Sequence, residues 1–303
     1  MSVTPAEPEL AGAERPAGAA ELLPTLLGDY WFASDGHIPS AALVRLLAEF
    51  GVGADAARAA LSRLSRDGRL EGARHGRRTA YRLAPALAEA AATQGRRLMR
   101  HGAGPVAWDG RWTCVAFSVP EADARLRPRL RRRLRALGLG ALFDGLWITP
   151  HAPLDALDRC LGDLGVNAAV LRAREVPRPA GTRLVDAWDL TSLGAGYRAL
   201  ATLAGGVSAR LDAGTTTPAE ALAARTELMR RWRALAIADP RLPDDLLPSG
   251  WPVRAARDAF VAAYDALGPP AERRVRDLLA EAVGDVAPEA LPRHHRVADI
   301  AGD

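Results

Sequence analysis

The stretch that decides the fold is SAALVRLLAEFGVGADAARAALSRLSR, residues 40–66. Its first part carries four apolar residues at helical spacing: Leu43, Leu46, Leu47 and Phe50. That spacing, behind Pro39-Ser40, predicts a helix. Gly51-Val52-Gly53 follows and predicts a tight turn, because glycine adopts backbone angles that other residues avoid. A second helix is predicted over 54–66, so the pattern is helix, turn, helix.

The second predicted helix has two unlike sides. On a helical wheel its apolar side consists of Ala57, Ala60, Leu61 and Leu64. The opposite side mixes small and basic residues, which suits a helix that enters the DNA major groove: small side chains avoid a clash while guanidinium groups reach guanine edges or phosphates. The predicted DNA contacts on this helix are Arg58, Ala59, Ser62, Arg63 and Arg66.

A basic hairpin is predicted directly after this helix, over 68–83. Two short β segments flank a His75-Gly76 turn, and basic residues crowd its tip: Arg74, His75, Arg77 and Arg78. A hairpin of this kind acts as a wing along the DNA backbone or in the minor groove. Residues 54–83 hold eight arginines and three acidic residues, a local balance of +5 that exceeds the +4 of the whole chain. A helical hairpin with a solvated arginine face is the alternative, but it does not require a basic hairpin to follow.

The rest of the chain divides by composition. Strand and helix patterns alternate from Trp112 to Arg174, which predicts a ferredoxin-like α/β domain. Amphipathic helices then follow, with breaks expected at Asp239-Pro240, at Pro248 and at Gly268-Pro-Pro270. The predicted fold class is α+β and multidomain. Its segments are a disordered tail (1–20), a winged helix-turn-helix DNA-binding domain (21–100), the ferredoxin-like central domain (105–178), a helical C-terminal domain (184–283) and a fraying tail (284–303).

Composition excludes several classes of function. The chain has 40 basic residues, all of them arginine, and 36 acidic residues, so its net positive charge is small. The positions of the arginines are therefore better evidence for nucleic-acid binding than the net charge is. Two cysteines, Cys114 and Cys160, cannot form a disulfide framework, and no Cys/His spacing predicts a metal site. No apolar run is long enough to span a membrane. We expect a cytoplasmic protein without cofactor and without a catalytic group of residues.

Four segments resemble the PaaX family of regulators, named for the repressor of phenylacetate catabolism. They are residues 62–70 with 76–83, Trp108–Trp112, Leu134–Thr149, and Asp239–Pro252 with the preceding Arg230–Arg233. The last is the most specific, because it is long and unusual in composition. The resemblance extends from about Leu22 to Leu279.

The resemblance implies a homodimeric repressor of a catabolic operon that binds duplex operator DNA and is released by an acyl-CoA, an aryl-CoA in the founding member. It also implies that the helical domain serves effector binding and dimerisation. Tryptophan suits an aromatic acyl group and arginine suits CoA phosphates. The candidate ligand contacts are therefore Arg111, Trp147, Arg230, Arg231, Trp232 and Arg233. Family members often carry a His-Glu-Tyr-Arg-like run where this chain has Arg230–Arg233, and this departure bears on the effector's identity.

Three alternatives stay open beside this interpretation. The central domain could serve a metal-dependent nucleic-acid-processing enzyme, but such an enzyme needs a carboxylate on its first strand. Residues 112–119 contain none, and only Asp109 and Glu121 flank them. A winged-helix protein whose third domain binds a protein partner is the second. The third concerns a helix with seven arginines over 125–135, which is either a solvated amphipathic helix, the favoured interpretation, or a further contact to DNA or a CoA phosphate.

Overall fold

A computed structural model describes residues 18–32, 34–75, 78–120, 123–176, 182–284 and 287–302. It is a mixed helix and sheet structure with two compact units. The first unit comprises the described residues up to Ala103, together with Gly196–Ala236 and those from Val253 onward. The second comprises Gly104–Ala195 and Ile237–Pro252.

The amino-terminal part of the first unit contains four helices and a three-stranded sheet in the order β1-β3-β2. Its elements are α1 (Ala19–Tyr30), β1 (Ile38–Pro39), α2 (Ser40–Ala48), α3 (Ala54–Arg66), β2 (Leu70–His75), β3 (Arg78–Leu83) and α4 (Pro85–Arg100). The helix predicted over 54–66 has those bounds, and Gly51 takes the left-handed φ of 76° that the turn requires. The sequence interpretation did not anticipate α4. It also assigned residues 19 and 20 to a tail, whereas α1 begins at the buried Ala19.

The second unit contains a four-stranded antiparallel sheet in the order β5-β6-β4-β7, with both helices on one face. Its elements are β4 (Trp112–Phe117), α5 (Leu126–Ala136), β5 (Gly140–Phe143), β6 (Leu146–Thr149), α6 (Leu154–Leu164) and β7 (Ala168–Ala173). Val115 and Trp147 from the sheet form one core with Leu130 and Leu157 from the helices. The strand β5 was not predicted, because its sequence lacks the alternation of apolar and polar residues that marks a half-buried strand. In the structure Gly140 of this strand packs closely against Trp188. Residues 177–181, at the predicted boundary between the central and helical domains, lie outside the described residues.

Three long helices follow: α7 (Leu190–Asp212), α8 (Pro218–Ala238) and α9 (Val253–Val283). The breaks predicted at Asp239-Pro240 and Pro248 separate α8 from α9. The break predicted at Gly268-Pro-Pro270 is wrong, because α9 includes both prolines. The helix is 31 residues long in total. Proline removes a helical hydrogen bond, but buried residues on both sides hold α9 together: Leu267, Gly268, Ala271 and Val275.

The carboxyl-terminal segment, predicted to fray, is packed into the first unit. It includes the short helix α10 (Val297–Ala301), and Val297 and Ile300 are buried. Trp31 Nε1 donates a hydrogen bond of 2.9 Å to the carbonyl of Ala290. A Cβ on Gly268 would overlap His294, so α9 and this segment lie in direct contact. These contacts join residues far apart in the chain, and for that reason they leave no local periodic signal.

The first unit also combines two segments that were predicted as separate domains. Helix α2 packs along α9, and ion pairs join the two helices. Arg45 contacts Glu281 at 2.8 Å, and Arg274 contacts Glu49 at 2.7 Å. The helix before the glycine turn is therefore fixed to the longest helix of the chain.

A buried arginine lies where α1, α8, α9 and the carboxyl-terminal segment meet. The Arg225 guanidinium lies 3.9 Å from the ring centre of Tyr264 and 5.3 Å from that of Tyr30. Its Nε donates to the carbonyl of Tyr264 at 3.2 Å and its Nη2 to that of His295 at 2.8 Å. Tyr264 in turn donates its hydroxyl to Asp29 Oδ1 at 2.8 Å. Burial raises the pKa of Asp29 to about 6, although the charge of Arg225 lowers it.

We predict that Arg225→Met lowers the free energy of unfolding by about 3–5 kcal/mol, because it removes the buried cation and leaves Asp29 without compensation. Urea unfolding measures the loss. The control is Arg198→Met on the exposed surface of α7, for which we expect a change within about 0.5 kcal/mol. A loss for Arg225→Met no larger than that of the control would contradict the role given to the buried guanidinium.

A second prediction concerns pH. Asp29 binds its proton more tightly in the folded state, where its pKa is about 6, than at the ordinary value of 3.8. Its stabilising contribution is therefore complete below pH 3.8 and is lost as the pH rises through 6. Asp29→Asn cannot titrate, so its stability relative to the parent should rise across this interval. Urea unfolding at several pH values tests this, with the exposed Asp277→Asn as control. Parallel curves for the parent and Asp29→Asn would refute the prediction.

Candidate nucleic-acid interface

Helix α3 presents one exposed side and one buried side, divided as the helical wheel predicts. Ala57, Ala60, Leu61 and Leu64 are buried and anchor the helix. All five predicted contact residues of this helix are exposed: Arg58, Ala59, Ser62, Arg63 and Arg66. The structure therefore brings these residues together on one accessible surface, which we call the α3 face.

The turn before α3 fixes the direction of that surface. The N–H groups of Gly51 and Val52 donate to the carbonyls of Ala48 and Leu47 at 3.0 and 3.2 Å. They thus end α2 with hydrogen bonds, and the positive φ of Gly51 turns the chain. Gly53 has φ −62° and ψ 149°, and α3 begins at the next residue. Only Gly51 thus needs glycine for its backbone angle, although the sequence suggested both.

The hairpin β2–β3 carries the other predicted contacts. Arg74 lies opposite Thr79 in the register and His75 opposite Arg78, and the side chains of Arg74 and Arg78 are exposed. Residues that are neighbours in a strand point to opposite faces, and paired residues share a face. Arg74 and Arg78 therefore extend from opposite faces of the hairpin. Arg77 and Gly76 lie outside the described residues, as does the side chain of His75.

Most arginines of this surface are available to an anion. Arg58 pairs with Asp55 at 3.0 Å, and both side chains are largely exposed, so this pair contributes little to stability. Within the described parts of the chain, no ion-pair partner is found for four others: Arg63, Arg66, Arg74 and Arg78. By contrast, Arg82 donates to Glu71 across the hairpin and is engaged within the protein.

A groove of about 480 Å³ lies beside Arg58, between α2, α3 and β3. Three residues with a hydroxyl group, Ser40, Thr79 and Tyr81, line it together with Arg45. The sequence patterns did not identify these three hydroxyl residues, because they come from different elements that only the fold brings together. Ser40 at the start of α2 was visible as a helix-start signal but not as part of a site.

The six candidate effector contacts are distributed over both units. Arg111 and Trp147 belong to the second unit, and the other four, Arg230 to Arg233, belong to the first. Arg111 is exposed. Trp147 is buried in the core of its unit, with Arg135 above its ring at 5.2 Å. Trp147 is thus a core residue in this structure, and its role as a ligand contact stays a prediction.

The Arg230–Arg233 run is largely engaged within the protein. Trp232 is fully buried, stacks on Phe260 with ring centres 4.9 Å apart, and donates Nε1 to the carbonyl of Leu98. Arg230 bridges Glu21 on α1 and Glu227 on α8, and Arg231 also contacts Glu227. Arg233 is half-buried and its charge lowers the pKa of Asp29. Trp232 is a core residue because its aromatic surface fills the space between helices.

The sequence interpretation missed Arg225. Its position on the apolar side of α8 is the signal that could have identified it as a buried residue. It follows the buried Ala221 and Leu222 of α8 and precedes the buried Leu228 and Met229. A charged residue within the apolar side of a helix indicates a buried ion pair or a buried polar network.

Of the two carboxylates that flank β4, the structure describes Asp109. Asp109 accepts hydrogen bonds from Arg172 and from the backbone N–H of Arg111, which hold its pKa below the ordinary value against the opposing effect of desolvation. Glu121 lies outside the described residues. Among the residues that are described, no three His, Cys, Asp or Glu side chains are placed to share a metal ion. Within that same part of the chain, no helix has the length and apolar character needed to cross a bilayer.

Comparison with known proteins assigns the whole architecture to one family. Three family models match in order: "PaaX-like protein" over residues 19–87, "PaaX protein central Cas2-like domain" over 105–185, and "PaaX-like protein C-terminal domain" over 188–277. The transcriptional repressor PaaX of Escherichia coli K12 is 27% identical over 291 residues, which cover 91% of this chain and 89% of that protein.

A solved structure agrees with this assignment. The uncharacterized protein Rv0674 from Mycobacterium tuberculosis has a TM-score of 0.53 and 25% identity, over 88% of this chain and 99% of that one. Since consecutive family models and a relative of nearly equal length cover most of the sequence, the chain belongs to the PaaX family.

Proposed function

We propose that this protein is a transcriptional repressor that binds duplex operator DNA through α2, α3 and the hairpin β2–β3. In this proposal these elements form a winged helix-turn-helix. The observation that carries it is the α3 face, where exposed arginines and small residues lie beside a second group of exposed arginines on the hairpin. The repressor named among the relatives supports the same role.

The α3 face would enter the major groove. Ala59 and Ser62 keep the surface low enough for close approach, while Arg58, Arg63 and Arg66 reach base edges or phosphates. Arg58 would exchange its exposed partner Asp55 for the DNA, at small cost because that pair is weak. Sequence preference therefore resides in α3.

The hairpin would lie in the minor groove or along the backbone. Because Arg74 and Arg78 extend from its opposite faces, they can contact phosphates on the two sides of a groove. Phosphate contacts are independent of sequence and supply most of the salt-dependent affinity. The groove beside Arg58 offers the hydroxyls of Ser40, Thr79 and Tyr81 as further donors to a phosphate.

In this proposal the long helices α7, α8 and α9 would serve dimerisation, and the second unit would be the central domain of the repressor. Its element order is strand-helix-strand-strand-helix-strand, which we interpret as a ferredoxin-like arrangement. We propose that two copies form a homodimer, since a dimer matches a palindromic operator with one half-site for each copy. A single winged helix buries too little surface for strong specificity.

The effector in this proposal is an acyl-CoA with an aromatic acyl group. Its candidate contacts in the first unit are Arg230, Arg231, Trp232 and Arg233, and those in the second unit are Arg111 and Trp147. Release from DNA requires that the ligand bind the DNA-incompetent conformation more tightly. A shift from 1:99 to 99:1 takes about 5.5 kcal/mol of differential affinity.

DNA binding should show a steep salt dependence, with about −0.9 in the log–log slope for each phosphate neutralised. We expect Arg74→Ala/Arg78→Ala to weaken cognate and random duplexes alike and to reduce the slope by about 1–2. Arg58→Ala should instead relax base preference and cost about 1–3 kcal/mol on the cognate site. Fluorescence titrations at several salt concentrations and selection from randomised operators separate the two effects.

The control for this comparison is Arg198→Ala/Arg210→Ala, which removes the same charge from the exposed surface of α7. A flat salt slope for the parent would refute DNA binding. Identical effects of the α3 and hairpin substitutions would refute the separate roles given to them.

An aromatic acyl-CoA should release the protein from its operator, whereas the free acid should not, because the arginines recognise the CoA phosphates. Gel-shift assays with matched pairs of acids and thioesters, together with thermal-shift assays of the protein without DNA, measure release and binding. Displacement by an unrelated metabolite and by no thioester would remove the acyl-CoA from the proposal and leave the DNA interface intact.

A further inference from the structure

Helix α5 in the second unit is the most basic element of the chain outside the proposed interface. Residues 125–135 contain seven arginines and no acidic residue. The arginines are at positions 125, 127, 129, 131, 132, 133 and 135. All basic residues of this chain are arginine, so the choice of arginine is not particular to α5, but a run of seven arginines without an acidic residue is.

Four of these arginines have a place in the structure of their own unit. Arg127 donates to the carbonyl of Val119 at 2.9 Å. Arg131 pairs with Asp144 at 3.1 Å and Arg133 with Asp163 at 3.0 Å. Arg135 lies over the ring of Trp147. These four side chains are explained by folding.

The other three form a stripe of their own. Arg125, Arg129 and Arg132 are exposed, and their spacing of four and three residues places them on one side of α5 over roughly 10 Å. No ion-pair partner for them is found in the described parts of the chain. We call these three residues the α5 stripe.

The α5 stripe works against the stability of its own helix. Arginines in the first turn face the positive end of the helix dipole, and like charges four residues apart repel each other. Residues that oppose local stability without an internal partner are expected at functional sites. An external anion would remove both penalties.

We propose that the α5 stripe binds the phosphodiester backbone of duplex DNA. This contact would be additional to those of the α3 face and the hairpin. This inference rests on the proposed DNA-binding function. A convex helix surface with guanidinium groups in a row suits repeated phosphates of a duplex. A small phosphorylated ligand is normally enclosed over most of its surface, and an exposed helix side does not enclose one.

Backbone contacts carry no sequence information, so the α5 stripe adds affinity and salt dependence without adding base preference. This property separates it from the α3 face. It also predicts that the contact forms on random as well as cognate duplexes.

The test is the triple variant Arg125→Gln/Arg129→Gln/Arg132→Gln in the full chain. Glutamine is a good helix former, so α5 is retained. We expect weaker binding to cognate and random duplexes, an unchanged ratio between them, and a log–log salt slope reduced by about 2–3. The control removes the same charge from exposed positions elsewhere, with Arg198→Gln/Arg210→Gln/Arg273→Gln, and should keep a slope closer to that of the parent.

Three outcomes decide the inference. A triple variant that matches the control in affinity and slope overturns it and makes α5 a solvated helix. Calorimetric binding of free CoA to the parent that is lost in the triple variant, with DNA binding unchanged, overturns it in favour of a small phosphorylated ligand. Loss of duplex binding in the triple variant, with no effect of substitutions in α3 and the hairpin, supports the α5 contact and refutes the proposed role of α3.

Discussion

The buried Arg225 guanidinium is the interaction on which the first unit depends. It donates to carbonyls on α9 and on the carboxyl-terminal segment, and it lies against tyrosine rings from α1 and α9. A charge removed from water must be paired and hydrogen-bonded, or the fold loses several kcal/mol. These four elements must therefore assemble together, and the segment that includes α10 becomes part of the core instead of a tail. Through the ion pairs between α2 and α9, the same assembly fixes the helix-turn-helix to the helical part of the chain.

Local sequence signals were sufficient to predict α3, the proposed recognition helix. The exposed and buried sides of α3 follow from its periodicity. The apolar side of an amphipathic helix must be buried, so the opposite side must face solvent. The glycine at 51 and the basic residues around the His75-Gly76 turn are also properties of neighbouring residues. For these reasons the bounds of α3 and the exposure of Arg58, Arg63 and Arg66 could be obtained from sequence alone.

Contacts between distant residues could not be obtained in this way. The packing of Trp31 against Ala290 joins residues at opposite ends of the chain, and no short pattern encodes it. The continuity of α9 through Pro269 and Pro270 depends on buried neighbours that outweigh the lost hydrogen bonds. Trp147 and Trp232 were interpreted as ligand contacts because their chemistry allowed it, but burial in the two cores depends on packing partners that periodicity does not reveal.

The two prolines within α9 form a joint, that is, a point at which the helix can bend. Neither Pro269 nor Pro270 has an N–H to donate, so bending costs less there than elsewhere along the helix. The arm before the joint carries Tyr264, which Arg225 holds, and the arm beyond it carries Arg274 and Glu281, which hold α2. Glu281 lies roughly 17 Å beyond the joint, so a bend of about 10° would move that end by about 3 Å. Because α2 packs on this end of α9 and α3 packs on α2, such a bend would move the α3 face relative to the buried Arg225.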